Sequence, residues 1–316
     1  METTIFQLKK EVEEILTTNI LPYWMDKMTD VQHGGFYGRI NGQEVLMPEA
    51  EKGAILNARI LWTFSSAYRL LHKPEYLETA TRAKREIIDR FYDKEFGGIY
   101  WSISAEGRPL DTKKQIYAIG FAIYGLSEYH RATGDSEALE YAIRLFHDIE
   151  AHSFDRKKNG YCEALTREWE EMADMRLSDK DANERKTMNT HLHILEPYTN
   201  LFRVWKDDYL KRQLHNLVRL FIDRILDTET SHLQLFFNDD WESPYRIISY
   251  GHDIEASWLL HEAALVLGDK ALLDEVEPRV VDIAEAATEG SCPSWYTRKT
   301  QKFTFWKMNR HPERLL

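Results

Sequence analysis

Ionisable and polar side chains recur near the N-terminal ends of four strongly apolar segments in this sequence of 316 residues. The first segment carries Arg59, and the second carries Tyr117. The third carries Asn189 with His193, and the fourth carries His252. Burying one such group costs several kcal/mol unless it is paired or hydrogen-bonded. Since every segment would bear this cost at the same level, we expect the side chains to converge on a shared polar cavity.

Two histidine–carboxylate pairs indicate the chemistry that this cavity would support. His193 precedes Glu196 by three residues, and His252 precedes Glu255 by the same interval. Residues three apart share one face of a helix, so the members of each pair can act together. Imidazole titrates near neutral pH and can both remove and return a proton. The residue types therefore predict acid–base chemistry, although a solitary buried histidine is more often a satisfied core residue.

An aromatic residue near these pairs favours a carbohydrate ligand. Trp258 lies one turn after Glu255 on the same predicted helix. Sugar rings have apolar faces and hydroxyl edges, which suits a polar cavity rimmed by aromatic rings. The helix N-termini would add partial positive charge for a developing oxyanion. Two carboxylates can also serve as the acid and base of an inverting glycosidase, and the pattern alone leaves that alternative open.

The spacing of His191 and His193 invites comparison with a zinc site. Side chains two residues apart point away from each other in a helix, so only one of them can face the cavity. The sequence has no His-Glu-x-x-His motif, and its two cysteines, Cys162 and Cys292, cannot supply a cysteine-rich site. We therefore expect no metal ion.

The apolar segments and their neighbours predict alternating buried and surface helices. A helix that is apolar on nearly every side is enclosed by protein, whereas an amphipathic helix faces water on one side. The predicted enclosed helices span residues 55–71, 115–132, 188–205 and 251–267. Amphipathic segments follow them, for example at 75–91 and 137–154, and another spans 3–18. Four enclosed helices, one surface helix after each of them and the first segment at 3–18 make nine predicted helices.

A connector rich in aromatic residues recurs between these helix pairs. The four connectors span residues 33–40, 96–103, 159–166 and 232–239. Gly35, Gly98 and Gly160 mark the first three and Leu233 marks the fourth, at intervals of 63, 62 and 73 residues. Solenoid repeats are usually shorter, about 34–47 residues. We therefore predict an all-α fold in which inner helices form one ring and outer helices wrap it, an α/α toroid.

Composition excludes several classes of protein. Lys and Arg total 41 against 52 Asp and Glu, and the net charge of −11 disfavours nucleic acid and anionic membranes as partners. No apolar run approaches the ~18 residues that span a bilayer, and the N-terminal segment lacks the apolar core of a signal peptide. We expect a cytoplasmic location. The acidic run at 168–186 is either a solvated loop or a lid over the cavity.

The motifs on the enclosed helices resemble the N-acylglucosamine 2-epimerase superfamily, and within it the cellobiose 2-epimerases. The resemblance rests on NARILWTFSSAYR at 57–69, MNTHLHILEPYTNL at 188–201, GHDIEASWLLHEA at 251–263 and GGFYGRI at 34–40. It extends from near residue 3 to near residue 288. Membership implies an (α/α)6 barrel that needs neither a metal ion nor an organic cofactor.

The resemblance also implies a reaction and roles for the residues. The reducing-end glucose of cellobiose or a related β-1,4 disaccharide opens, loses its C2 proton, forms a cis-enediolate and is reprotonated as the mannose epimer. By resemblance, His252 is an acid–base histidine, Glu255 an essential carboxylate and Arg59 the cation beside the C1 and C2 oxygens. His193 corresponds to the histidine linked to ring opening. The residues that correspond to substrate contacts are Tyr117, Asn189 and Trp258.

The resemblance is incomplete toward the C-terminal end. An (α/α)6 barrel has six inner and six outer helices, whereas the sequence predicts four and five, about nine of twelve. In the family the remaining part carries a second acid–base histidine, and His311 does not match its motif. We therefore expect a partial epimerase domain at 1–290, and we leave open whether this chain is active.

The segment at 291–316 differs from the rest of the chain. It holds six Lys and Arg and a single Glu, without helical periodicity or a connector motif. It is either a genuine basic tail or a non-native, frameshifted departure from a longer parent, and the second is favoured. The alternative functions are an N-acylhexosamine 2-epimerase, an aldose–ketose isomerase or a catalytically inactive sugar-binding protein. The oligomeric state stays open.

Overall fold

The structure, a computed structural model, describes residues 2–290 and consists almost entirely of helices. The segment at 291–316, with Cys292 and His311, lies outside the described residues. The α-helices of the described part are α1 (Glu2–Ile15), α2 (Leu21–Lys27), α3 (Ala54–Leu71), α4 (Pro74–Glu86), α5 (Ile116–Thr133), α6 (Ser136–His152), α7 (Met188–Val204), α8 (Asp208–Leu220), α9 (Tyr250–Leu267) and α10 (Lys270–Ala287). Within residues 2–290, no helix is both long and apolar enough to cross a membrane.

The first outer helix is longer than the sequence predicts. Periodicity ends it at residue 18, but a π-helical turn at Leu16–Ile20 joins α1 to α2. Pro22 lies in the first turn of α2, a position where proline is tolerated because its φ angle is already suited to the helix. With α1 and α2 counted as one, the helices of residues 2–290 number the predicted nine.

The helices form two layers, as the apolar patterns predict. Inner helices α3, α5, α7 and α9 pack side by side in chain order, and each packs against the outer helix that follows it. Every residue of α7 from Thr190 to Phe202 is buried. The outer helix α8 instead buries one stripe, which includes Leu210, Leu214 and Leu217. Enclosed and surface helices therefore alternate along the chain.

Three short antiparallel ribbons tie the start of an inner helix to the next connector. β1 (Lys52–Gly53) pairs with β2 (Ser102–Ile103), β3 (Lys114–Gln115) with β4 (Ala164–Leu165), and β5 (Lys186–Thr187) with β6 (Phe236–Phe237). The first strand of each ribbon leads directly into α3, α5 or α7. The ribbons therefore fix the N-terminal ends of these inner helices, where the predicted site residues lie.

A buried lysine pairs with an aspartate at three of the four connectors, and sequence patterns did not reveal these pairs. The distances from Nζ to the carboxylate are 2.9 Å for Lys52–Asp30, 2.9 Å for Lys114–Asp93 and 3.2 Å for Lys186–Asp155. Each lysine also donates to a main-chain carbonyl of a connector. The corresponding position before α9 holds Ile248, which is exposed.

Aromatic rings cover two of these lysines. Nζ of Lys114 lies 5.0 Å from the centre of the Tyr100 ring, and Nζ of Lys186 lies 5.2 Å from that of Trp241. A cation is attracted to an aromatic face, more strongly where water is excluded. Tyr100 and Trp241 therefore help to hold the two buried lysines in place.

Candidate active site

His193 is held in one orientation near the N-terminal end of α7. Its residue is 3% exposed, and Nδ1 donates a hydrogen bond of 3.2 Å to Oε2 of Glu196. The pair predicted from the three-residue spacing is therefore formed. Because the carboxylate engages Nδ1, Nε2 is the ring nitrogen that a ligand can use.

Aromatic rings of α5 flank the His193 imidazole. The ring centre of Tyr117 lies 4.7 Å from that of His193, and the ring centre of Phe121 lies 5.1 Å away. Gly120 permits this approach, because a Cβ at that position would lie 2.3 Å from the main-chain oxygen of His193. The close contact between α5 and α7 thus places an aromatic wall beside the imidazole.

Arg59 joins this group from α3. Its Nη2 donates a hydrogen bond of 3.0 Å to the Tyr117 hydroxyl, and its guanidinium carbon lies 4.5 Å from the Phe121 ring centre. Burial raises the pKa of the Tyr117 phenol. The phenol therefore stays protonated at neutral pH, and the guanidinium adds a positive charge next to it.

His252 is the third residue of α9. Its Nδ1 lies 2.8 Å from Oγ of Ser249, the residue that precedes the helix. Burial lowers the pKa of the His252 imidazole, while the negative charge of Glu255 acts in the opposite direction. A lowered pKa favours the neutral ring at neutral pH, which is the form that can accept a proton.

The structure brings three predicted catalytic side chains together. One potential ligand atom from each of His193, His252 and Glu255 lies within 4.8 Å of the other two. These residues belong to the adjacent inner helices α7 and α9. Two imidazoles and a carboxylate suit proton transfer, and they are also donor types that can hold a transition-metal ion.

A cavity of about 300 Å³ lies beside His252 and Asn189. The Asn189 Oδ1 atom is buried and has no hydrogen-bond partner among the described residues, so a ligand hydroxyl could donate to it. Leu177 and Asp181 of the acidic segment at 168–186 line the same cavity. The segment at 168–186 therefore borders the cavity, and its role as a lid stays a prediction.

His191 lies on α7 but faces the third connector rather than the cavity, as its two-residue spacing from His193 predicts. It is fully buried, its Nδ1 donates to the Thr187 carbonyl at 2.6 Å, and its Nε2 accepts from the Tyr161 N–H at 2.9 Å. Burial lowers the pKa of this imidazole to about 4. His191 is thus a neutral structural residue with both ring nitrogens engaged.

Sequence reasoning missed two residues of this region. Phe121 looks like one more apolar residue of α5, and no local signal distinguishes it. Glu163 lines the cavity, and a solitary acidic residue within the apolar connector sequence YCEAL was a signal that could have found it. Trp258 is 44% exposed, and its contact with a sugar stays a prediction.

Comparison with protein families identifies the class to which this fold and site belong. The chain matches the model of the N-acylglucosamine 2-epimerase (GlcNAc 2-epimerase) family over residues 35–292. Because this range covers most of the sequence, the chain belongs to that family.

The similar proteins within this class include several cellobiose 2-epimerases. The cellobiose 2-epimerase of Bacteroides fragilis is 74% identical over 283 residues, which are 90% of this chain and 72% of the relative. That of Ruminococcus albus is 42% identical over 262 residues, 83% of this chain and 67% of the relative. The solved cellobiose 2-epimerase of Bacillus thermoamylovorans has a TM-score of 0.85 at 41% identity, covering 92% of this chain and 73% of that one.

The same comparisons define the fold. A solved D-mannose isomerase, 17% identical with a TM-score of 0.71, shares the fold alone. The fold common to these proteins is the (α/α)6 barrel, to which residues 2–290 contribute four inner and five outer helices. The predictions of fold and family from the sequence are confirmed.

Proposed function

We propose that this chain acts as a cellobiose 2-epimerase, which inverts C2 of the reducing-end glucose of cellobiose and related β-1,4 disaccharides. The observation that carries the proposal is the convergence of His193, His252 and Glu255 in a chain with an Arg59–Tyr117 pair on the neighbouring helices. Relatives named cellobiose 2-epimerase are 74% and 42% identical to this chain. The ligand is then a neutral disaccharide, and the proposed reaction uses no metal ion or organic cofactor.

The reaction begins with opening of the reducing-end ring, because the C2 proton becomes acidic only next to the free aldehyde. His193 is the proposed residue for this step. Its Nδ1 is engaged by Glu196, so proton transfer to and from the ring oxygen or the C1 hydroxyl would use Nε2.

His252 is the proposed base for the C2 proton. Burial favours its neutral form, and removal of the proton leaves an enediolate with negative charge on the C1 oxygen. The Arg59 guanidinium and the Tyr117 hydroxyl would stabilise that charge, as preorganised donors do for an oxyanion. Glu255 would stabilise the imidazolium formed on His252, as the carboxylate of a catalytic triad does.

Inversion requires reprotonation from the opposite face of the enediolate. By the resemblance described above, the family assigns this step to a second histidine in a motif that this sequence does not match. Proton exchange and inversion are therefore separable in this chain, and the experiment must measure both.

The test is incubation of the purified chain with cellobiose in D2O, followed by proton NMR of both sugars. The proposal predicts glucosyl-mannose with deuterium at C2. Deuterium in cellobiose alone would show that the site exchanges the proton on one face, and it would overturn epimerisation by this chain. A ketose product would identify an aldose–ketose isomerase instead. Absence of deuterium from every sugar, with a folded protein, would overturn the proposal altogether.

Two broader expectations accompany this function as proposals. Residues 1–290 form one epimerase domain, and residues 291–316 are a separate basic segment, which their contrast in charge supports. A cytoplasmic location is favoured by the two cysteines of the sequence, since proteins of oxidising compartments are often richer in disulfides.

A further inference from the structure

Glu163 is a buried acidic residue beside the candidate active site, and the proposed mechanism does not use it. It directly precedes β4, is 2% exposed and lines the cavity that Asn189 and His252 also line. Burial raises the pKa of its carboxyl to about 7, although a hydrogen bond from Thr187 acts in the opposite direction. Burial of a carboxyl group in a cavity wall costs free energy of folding, so such a residue is a candidate for a functional role.

Two side-chain donors hold the Glu163 carboxylate. Its Oε2 accepts from Oγ1 of Thr187 at 2.5 Å, and its Oε1 accepts from Nε2 of Gln115 at 3.2 Å. The main chain of Glu163 is also engaged: its carbonyl accepts from the Ile116 N–H, and its N–H donates to the Arg185 carbonyl. Glu163 therefore contacts the chain immediately before both α5 and α7.

The two side-chain donors occupy the N-cap positions of these inner helices, although only Thr187 makes a side-chain capping hydrogen bond. Thr187 caps α7, and its hydroxyl oxygen accepts from the Thr190 N–H. Gln115 is the residue that precedes the first turn of α5. A threonine hydroxyl has a single proton, so donation to Glu163 leaves its oxygen free to accept the capping hydrogen bond.

The site residues follow the two caps at equal distances along the chain. Tyr117 on α5 and Asn189 on α7 each lie two residues after a cap. Phe121 and His193 each lie six residues after a cap, and their rings are in contact. Gln115 Nε2 also lies 3.3 Å from the Met175 carbonyl, so the same arrangement reaches the acidic segment at the cavity.

We infer that Glu163 is a positioning residue that fixes the start of α5 relative to the start of α7, and thereby His193 relative to Tyr117. The expected effect on the reaction rate rests on the proposed function, whereas the expected effect on the positions of the helix starts does not. Without the shared carboxylate, Thr187 and Gln115 lose their common acceptor and the two helix starts can shift. A misplacement of about 1 Å in an active site can cost up to about a hundredfold in rate.

The test compares Glu163→Gln with a rescue variant and a matched control. In Glu163→Gln the amide oxygen can still accept from Thr187, but the amide NH2 then faces the NH2 of Gln115. The double variant Glu163→Gln with Gln115→Glu restores a donor–acceptor pair at the second contact. The control is Glu150→Gln, which changes another buried carboxylate that accepts from Tyr161, Tyr198, Tyr209 and Gln213 away from the cavity.

Three measurements are made on each variant: the rate of C2 deuterium exchange, the thermal midpoint, and the imidazole signals of His193 and His232 in the 15N-histidine spectrum. We expect Glu163→Gln to lower kcat about tenfold or more with an undiminished thermal midpoint, and to shift the signal of His193 but not that of His232. The double variant should recover part of the rate. Glu150→Gln should keep the rate and the His193 signal.

An unchanged rate and an unchanged His193 signal in Glu163→Gln would overturn the inference. So would a loss of rate that follows a falling thermal midpoint and disappears at lower temperature. If the unaltered chain shows no exchange, the proposed function has failed, and the His193 signal alone then decides whether Glu163 positions the helices.

Discussion

Three histidines at the starts of α7 and α9 differ in their state because their neighbours differ. His191 has both nitrogens engaged and a pKa of about 4, so it stays neutral and structural. His193 directs Nδ1 to a carboxylate, and His252 contacts the hydroxyl of Ser249. His191 is therefore a structural residue of the core, whereas His193 and His252 each keep Nε2 available for a ligand.

His252→Ala tests the proposed base directly. Loss of a positioned general base typically costs about 10²–10⁴-fold, so we expect C2 deuterium exchange to fall by at least a hundredfold. The thermal midpoint should change little, because His252 is only partly buried. His215→Ala on the outer helix α8 is the matched control. Retention of the exchange rate in His252→Ala would remove this residue from the mechanism.

Glu163 makes stability depend on pH in a predictable direction. Its carboxyl pKa rises from 4.5 to about 7 in the folded chain, so the folded state binds the proton more tightly than the unfolded state. The cost of ionising it in the folded state is absent below pH 4.5, grows between pH 4.5 and 7, and is complete above that range. A shift of this size corresponds to about 3 kcal/mol.

Glu163→Gln removes this titration. Relative to the unaltered chain, the variant should therefore gain stability as the pH rises from 5 to 8, with most of the gain appearing by about pH 7. Urea unfolding of both proteins at a series of pH values measures the difference. A difference that does not depend on pH would show that the carboxyl does not have a raised pKa.

At the scale of the helices, the sequence predicted most of the architecture. Apolar residues all round 188–205 predicted an enclosed helix, and α7 occupies Met188–Val204. The predicted end of the first helix, at residue 18, was wrong. Pro22 lies at a position where a helix tolerates proline, and the local sequence pattern cannot show that a π-helical turn continues the helix. The hydrogen bonds of Glu163 were not predictable, because its partners lie 24 and 48 residues away in the sequence.

Contact between α5 and α7 depends on the absence of a side chain at Gly120. In Gly120→Ala the new Cβ would lie 2.3 Å from the His193 carbonyl, so the helices must separate. Overpacking of this kind typically costs about 1–3 kcal/mol, and we expect C2 exchange to fall because His193 moves. The checks are urea unfolding and the exchange assay.

Gly251→Ala is the matched control for this helix contact. Apart from the adjacent residues and the nearby backbone of α9, no atom of the described part of the chain lies within 4 Å of a Cβ at that position. Alanine has the higher helix propensity, so stability should stay equal or rise by up to about 1 kcal/mol. Equal losses of stability in the two variants would contradict the close approach at Gly120.

At the scale of the molecule, ion pairs of buried lysines connect the starts of three inner helices to residues beside the connectors. Asp93 accepts from Lys114 and from Arg167, and both Lys114 and Asp93 are buried completely. Although burial by itself would raise the pKa of Asp93, hydrogen bonds from these two cations hold it well below its ordinary value. The carboxylate is thus charged at every pH near neutrality.

Asp93→Asn would leave the Lys114 ammonium buried with a neutral partner. Removal of one member of a buried ion pair typically costs about 3–5 kcal/mol, so we expect a loss of that order in the free energy of unfolding. Asp227→Asn is the control, since Asp227 accepts from the N–H of Glu229 in the equivalent turn and an amide oxygen can replace it there. Chemical unfolding of both variants should separate them by several kcal/mol, and similar small losses would show that the pair contributes little.

The exposed Ile248 sets the fourth unit of the fold apart from the other three. In those three a buried lysine pairs with an aspartate just before the inner helix and ties the helix start to its surroundings. At the same position before α9, the helix that carries His252, the described residues have Ile248 instead. The start of α9 therefore has fewer buried contacts to hold it, and we expect it to open locally more readily than the starts of α3, α5 and α7.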